Sequence, residues 1–124
     1  MGKRILVIED TEDNRQIIRD LLTSFDYELL EAVDGAEGVA MAQTHHPDLI
    51  LMDIQLPVLD GYEATRRIRA IPELTAVPII AVTSYALSGD EAKTREAGCD
   101  GYVAKPFSPR QLLAKIREFL PDAE

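Results

Sequence analysis

The chain has 124 residues, which is enough for one hydrophobic core and too few for two ordinary domains. Its net charge of −9 argues against direct binding to nucleic acid or to an anionic membrane surface. No apolar run approaches the roughly 20 residues that cross a bilayer, and the start lacks the apolar stretch of a signal peptide. We therefore expect residues 1–124 to form a single cytoplasmic domain.

Five segments along the chain have the apolar, β-branched character of strands. The runs at 5–8, 49–53 and 79–83 are almost entirely apolar, which is typical of strands buried on both faces of a parallel sheet. The segment 101–105 predicts a further strand, and 27–33 predicts a weaker one. A residue of special interest is Asp53, because an acid at the end of a buried strand has no packing role.

Helix patterns follow each predicted strand. The predicted N-cap residues are Thr11, Asp34, Asp60, Ser88 and Ser108. In the first helix the apolar residues recur at helical spacing and predict one buried face; they are Ile17, Ile18, Leu21, Leu22 and Phe25. In the third helix Ala64 and Ile68 are predicted to face inward and Arg66, Arg67 and Arg69 mostly outward.

Strands that alternate with helices predict an α/β fold whose parallel sheet is covered on both faces. Right-handed crossovers leave few arrangements, and the commonest at this size is the doubly wound, flavodoxin-like sheet with strand order 2-1-3-4-5. We therefore expect five strands and five helices in that order.

Polar residues lie where four of the predicted strands end. Glu9 and Asp10 follow the first strand, and the third, fourth and fifth end in Asp53, Thr83 and Lys105. The carboxyl ends of parallel strands meet at one edge of the sheet, where ligands bind in open α/β folds. The pattern therefore predicts a single site that contains three carboxylates, a hydroxyl and an ammonium group.

Three neighbouring carboxylates repel one another, and a hard divalent cation removes the conflict. Mg²⁺ prefers oxygen ligands and is commonly held by one or two carboxylates together with a phosphate. Lys105 and Thr83 would suit phosphate oxygens. A carboxylate such as Asp53 can attack phosphorus and form an aspartyl phosphate. The residues thus favour metal-assisted phosphoryl chemistry.

Several motifs together resemble the receiver domain of bacterial two-component response regulators, and most of all its stand-alone single-domain members. They are Glu9-Asp10, the LMDIQLP segment at 51–57, Asp60-Gly61, Val82-Thr83 and the YVAKPF segment at 102–107. The resemblance extends over residues 3–120. It implies a phosphoprotein that catalyses only its own phosphoryl transfer and slow dephosphorylation.

The resemblance also implies roles for individual residues. Asp53 would accept a phosphoryl group from a histidine kinase or a histidine phosphotransfer protein. Asp10 and Asp53 would hold Mg²⁺ together with the backbone carbonyl of Gln55, and Glu9 would assist through a water molecule. Lys105 would contact the phosphoryl group.

The output of such a domain is a change in surface shape. Thr83 and Tyr102 match the switch pair of the family, so the surface of the fourth helix, fifth strand and fifth helix is expected to control binding of a downstream protein that the sequence does not identify. The bond between Lys105 and Pro106 is expected to be cis.

Two other classes of protein are compatible with parts of the pattern. A small metal-dependent phosphatase also uses an aspartyl nucleophile, but it needs an acid that protonates the leaving group. The residue two positions after Asp53 is Gln55, which cannot serve as that acid. A flavodoxin-type flavin carrier shares the fold, but the acidic segment at 9–13 would repel its phosphate. A phosphatase assay and incubation with a flavin distinguish these alternatives.

Overall fold

The computed structural model describes residues 3–83, 90–105 and 107–120. The strands are β1 (Arg4–Ile8), β2 (Glu28–Ala32), β3 (Leu49–Asp53), β4 (Ile79–Thr83) and β5 (Gly101–Ala104). The helices are α1 (Glu12–Thr23), α2 (Gly35–His45), α3 (Gly61–Arg69), α4 (Asp90–Ala97) and α5 (Pro109–Phe119), with a 3-10 turn at Pro72–Leu74. The predicted cap Ser88 and the predicted cis bond at Pro106 lie outside the described residues.

All strand pairs are parallel, and the order across the sheet is β2-β1-β3-β4-β5. The predicted flavodoxin-like fold is therefore confirmed. No helix within the described ranges is long and apolar enough to cross a membrane.

The core consists of two layers, one on each face of the sheet. Successive side chains of a strand point to opposite faces, so β1 sends Leu6 and Ile8 into one layer and Ile5 and Val7 into the other. The first layer is completed by residues of α2 and α3, and the second by residues of α1 and α5. Burial on both faces explains why β3 and β4 are continuous apolar runs.

The four predicted caps that lie within the described residues all occupy the N-cap position of their helices. Asp34 and Asp60 each accept a hydrogen bond from the backbone N–H three residues later, and Ser108 forms a full capping box. Thr11 stands at the N-cap position of α1, as predicted, but its side chain forms no capping hydrogen bond. Instead its backbone N–H donates to Glu9 Oε2 over 3.1 Å, so the start of α1 is tied to the acidic end of β1.

The apolar face of α1 is narrower than its sequence predicts. Ile18 and Leu22 are buried, but Ile17 is 53% exposed. Phe25 lies beyond the end of the helix and is 43% exposed, with the Arg117 guanidinium 5.2 Å from its ring centroid. The helix contacts the sheet along one line only, so residues a quarter turn away remain at the surface.

Arg69 also differs from its prediction, since only 18% of its side chain is exposed. It donates to the carbonyl oxygens of Val77 and Gly98 at 2.6 and 2.9 Å and forms an ion pair with Asp100 at 2.6 Å. Because these residues precede β4 and β5, Arg69 fastens the end of α3 to the edge of the sheet opposite the acidic cluster.

Candidate functional site

The register of the sheet brings the predicted site residues to one edge. Ile8 pairs with Met52, Asp53 with Val82 and Thr83 with Ala104. The carboxyl ends of β1, β3, β4 and β5 are therefore nearly level. The residues that follow these ends meet above them, as the strand endings predict.

Glu9, Asp10 and Asp53 form a compact carboxylate cluster. One oxygen from each lies within 4.8 Å of the others. Glu9 and Asp53 are each 3% exposed, whereas Asp10 is exposed to solvent. Hard carboxylate oxygens with one open side suit a cation that keeps part of its water shell. The donor set of this cluster therefore fits Mg²⁺.

Lys105 approaches the cluster from the end of β5. Its Nζ lies 3.1 Å from Glu9 Oε1 and 3.5 Å from Asp53 Oδ2. The backbone N–H of Lys105 donates to the carbonyl of Thr83 over 2.7 Å, which holds the lysine above β4. The ammonium thus stabilises the two buried carboxylates and stands where it could meet an anion bound to Asp53.

The loop after β3 shapes the surroundings of Asp53. The Gln55 N–H donates to Asp53 Oδ1 over 3.1 Å, and the Gly61 N–H donates to the Ile54 carbonyl over 2.9 Å. A Cβ atom at Gly61 would lie only 2.5 Å from the Asp53 carbonyl oxygen. Only glycine allows this close approach of two backbone segments, which explains the glycine after Asp60.

The two buried carboxyl groups differ in acidity. Burial raises the pKa of Asp53 from 3.8 to about 6, the negative charge of Glu9 adds to this, and Lys105 opposes it. Burial also acts to raise the pKa of Glu9, but the Thr11 N–H and the nearer contact with Lys105 outweigh it and lower that pKa. Without a cation, Asp53 is therefore the carboxyl group of this pair that holds a proton more readily.

The two predicted switch residues, Thr83 and Tyr102, differ in how deeply they are buried. Thr83 is fully buried at the end of β4, and Tyr102 is partly buried on β5, in register with Ala81. An open cleft of about 360 Å³ extends between α4, β5 and α5, with Arg95, Tyr102 and Lys115 among its lining residues. Tyr102 and Lys115 also line a neighbouring cleft of about 310 Å³.

Sequence reasoning missed two residues of α1 that touch Glu9. Asn14 Nδ2 lies 3.5 Å from Glu9 Oε2, and Arg15 Nη1 donates to the Glu9 carbonyl over 2.8 Å. Both occur one turn after Thr11, the residue before α1. That spacing places them on the side of the helix that faces back toward β1, which is the signal that could have identified them.

Comparison with known proteins gives concordant results. The response regulator receiver domain family matches residues 5–117. The chain is 42% identical over 123 residues to the polar-differentiation response regulator DivK of Brucella ovis, and equally to that of Brucella anthropi. Each alignment covers 99% of this chain and 100% of the relative.

Solved structures with the same fold include a receiver domain of a sensor histidine kinase and a chemotaxis protein. The receiver domain of sensor histidine kinase PA1611 from Pseudomonas aeruginosa has a magnesium ion coordinated in its active-site cleft; it is 41% identical, with a TM-score of 0.91 over 98% of this chain and 100% of that chain. The chemotaxis protein CheY4 of Vibrio cholerae is 28% identical, with a TM-score of 0.91 over 96% and 99%.

Proposed function

The chain belongs to the response regulator receiver domain family, a class of two-component signalling switches, and we propose that Asp53 is its phosphoacceptor. The donor would be a histidine kinase or a histidine phosphotransfer protein, and the protein would act in the cytoplasm. Residues 1–124 would form one receiver domain. Membership of the receiver domain family favours this function over the phosphatase and the flavin carrier.

One observation carries the proposal. Asp53 is a buried carboxylate at the end of a central strand, with two further carboxylates and an ammonium group within reach of its oxygens. Burial of an acid beside two other carboxylates lowers the stability of the fold. Acids in such surroundings are typical of functional sites. The pKa of about 6 leaves Asp53 mainly ionised at neutral pH, yet more basic and therefore more nucleophilic than an ordinary aspartate.

Mg²⁺ would be held by Asp10, Asp53 and the backbone carbonyl of Gln55, with Glu9 assisting through a water molecule. The fit of three close carboxylate oxygens to a hard cation supports this assignment. Mg²⁺ bound here would neutralise charge on the transferred phosphoryl group. The magnesium ion in the Pseudomonas aeruginosa receiver is consistent with such a site.

In the transfer step an Asp53 oxygen forms a bond to phosphorus while the bond between phosphorus and the donor imidazole nitrogen breaks. The imidazole leaves with the electron pair of that bond. Lys105 would move from Glu9 toward the phosphoryl oxygens, since its Nζ already lies 3.5 Å from Asp53. The protein would catalyse only this transfer and the slow hydrolysis of its own acyl phosphate.

The output would pass through Thr83 and Tyr102. A phosphoryl group on Asp53 would attract the Thr83 hydroxyl, and the Tyr102 ring would turn toward the space released. Tyr102 and Lys115 both line the two clefts at α4, β5 and α5, so movement of the ring would reshape that surface. A downstream protein that prefers the new shape would shift the equilibrium by its differential affinity.

The phosphoacceptor is tested by incubating the protein with Mg²⁺ and acetyl phosphate and measuring the intact mass. The parent should gain one phosphoryl group, and both Asp53→Asn and addition of EDTA should abolish the gain. Asp60→Asn is the matched control, because asparagine also caps helices well and Asp60 caps α3. Labelling that persists in Asp53→Asn would refute the assignment.

The switch is tested on Thr83→Ala, with the cognate partner and beryllium fluoride as the phosphoryl mimic. This variant should still accept phosphate at Asp53 but lose most of the difference in partner affinity between the two states. If its affinity responds to beryllium fluoride as strongly as that of the parent, the signal does not pass through Thr83.

A further inference from the structure

Arg15 on α1 connects the acidic end of β1 to the neighbouring strand β2. Its Nη1 donates to the Glu9 carbonyl over 2.8 Å, its Nε lies 3.2 Å from Glu31 Oε1, and its Nη2 lies 2.6 Å from Glu12 Oε1. Only 12% of the side chain is exposed. We propose that Arg15 is a positioning residue, which holds the peptide between Glu9 and Asp10 in the orientation that Mg²⁺ binding requires.

The rigidity of the peptide bond transmits the effect of Arg15 to both acidic residues. The Glu9 carbonyl and the Asp10 N–H belong to one planar group. A hydrogen bond that fixes the Glu9 oxygen therefore fixes the plane that joins the Cα atoms of both acidic residues. Both carboxylates extend from those two atoms toward the cluster with Asp53. Arg15 thus acts on the cluster through the backbone carbonyl of Glu9 and not through any of the three carboxylates.

Glu9 is also held through the preceding peptide group, which contains its own N–H. The Glu9 N–H donates to the Ala32 carbonyl over 3.0 Å at the end of β2. Glu31, which binds Arg15, is the residue before Ala32 on that strand. Glu9 is therefore attached to β2 on both sides, directly through its N–H and through Arg15 by its carbonyl. Such a frame is expected where a short segment must present two acids in a defined geometry.

Arg19 provides a natural comparison on the same helix. It lies one turn after Arg15, binds Glu31 with two contacts of 2.8 Å and reaches Glu12 at 3.5 Å. Among the described residues the hydrogen bonds of its guanidinium are with these two acids, and none joins it to Glu9. Arg15 and Arg19 therefore carry the same charge and share the same partners, but differ in the bond to the Glu9 carbonyl.

Charge and positioning predict opposite effects on cation affinity. Removal of a positive charge close to an acidic site should strengthen cation binding if only the charge matters. Loss of an outer hydrogen bond that orients metal ligands weakens binding instead. The direction of the change in Arg15→Gln therefore distinguishes the two explanations.

The inference rests on the proposed Mg²⁺ site, and it is tested by NMR titration of Mg²⁺ into the parent, Arg15→Gln and Arg19→Gln. We expect the Kd of Arg15→Gln to rise by about ten-fold, the lower end for loss of an outer hydrogen-bond partner. The Kd of Arg19→Gln should stay within about two-fold of the parent, since its ion pairs are partly exposed.

Arg15→Lys and amide exchange in the metal-free protein extend the test. Lysine keeps the charge but lacks the fork that reaches three oxygens, so its Kd should lie between those of the parent and Arg15→Gln. Without Mg²⁺, the amides of Asp10 and Thr11 should exchange faster in Arg15→Gln than in Arg19→Gln. Unfolding free energies of all variants identify any general loss of stability.

A Kd for Arg15→Gln that is equal to or lower than that of Arg19→Gln would overturn the positioning role. So would equal exchange of the Asp10 and Thr11 amides in these two variants. A parent protein that binds no Mg²⁺ would instead refute the proposed metal site, and the amide comparison would still decide whether Arg15 anchors the peptide.

Discussion

Replacement of Asp53 by asparagine should stabilise the metal-free protein at neutral and alkaline pH. The Asp53 carboxyl is buried beside the Glu9 carboxylate, and its pKa rises from 3.8 to about 6 in the folded state. Between these values the folded protein binds a proton that the unfolded chain has released. Stability therefore falls as the pH rises through this interval, which is the opposite of the behaviour of a salt-bridged aspartate.

The size of the effect follows from the pKa difference. Each pKa unit corresponds to about 1.36 kcal/mol, so the change from 3.8 to about 6 corresponds to a destabilisation of about 3 kcal/mol above that pH. Asparagine removes the charge while its side-chain oxygen can still accept the Gln55 N–H. We expect a gain of about 2–3 kcal/mol in the unfolding free energy of Asp53→Asn at about pH 8.

Urea unfolding in EDTA at about pH 4 and about pH 8 measures this gain, with Asp60→Asn as the matched substitution at an exposed helix cap. The gain should nearly vanish at the lower pH, where Asp53 is protonated in the parent. Added Mg²⁺ should stabilise the parent more than Asp53→Asn, because the variant has lost a charged ligand. A variant less stable than the parent at about pH 8 in EDTA, or a gain independent of pH, would refute the reasoning.

Two further substitutions test the framework around the site. Gly61→Ala should lower the unfolding free energy by about 1–3 kcal/mol, because its Cβ would lie 2.5 Å from the Asp53 carbonyl oxygen; urea unfolding measures it, and an unchanged midpoint would contradict the close approach. Ser108→Ala should cost about 1 kcal/mol through loss of the capping box on α5. Its acceptance of phosphate from acetyl phosphate should match that of the parent, and a large loss would indicate that α5 orders the site.

Much of the fold could be predicted from the sequence because its signals are local. Two kinds of signal depend on a few neighbouring residues only. They are the apolar runs of β1, β3 and β4 and the helix caps Asp34, Asp60 and Ser108. The rule that parallel strands share one carboxyl edge then places Glu9, Asp53 and Lys105 together, although Glu9 and Lys105 are 96 residues apart.

The tertiary structure decided what the long side chains contact and how deeply each acid is buried. Arg69 and Arg15 have ordinary surface positions in the helical pattern, yet each reaches backbone carbonyls that come close only when the chain is folded. Ile17 has the spacing of a core residue but lies beyond the contact line of α1 with the sheet. The raised pKa of Asp53 likewise follows from its burial and from Glu9, and neither is a property of the local sequence.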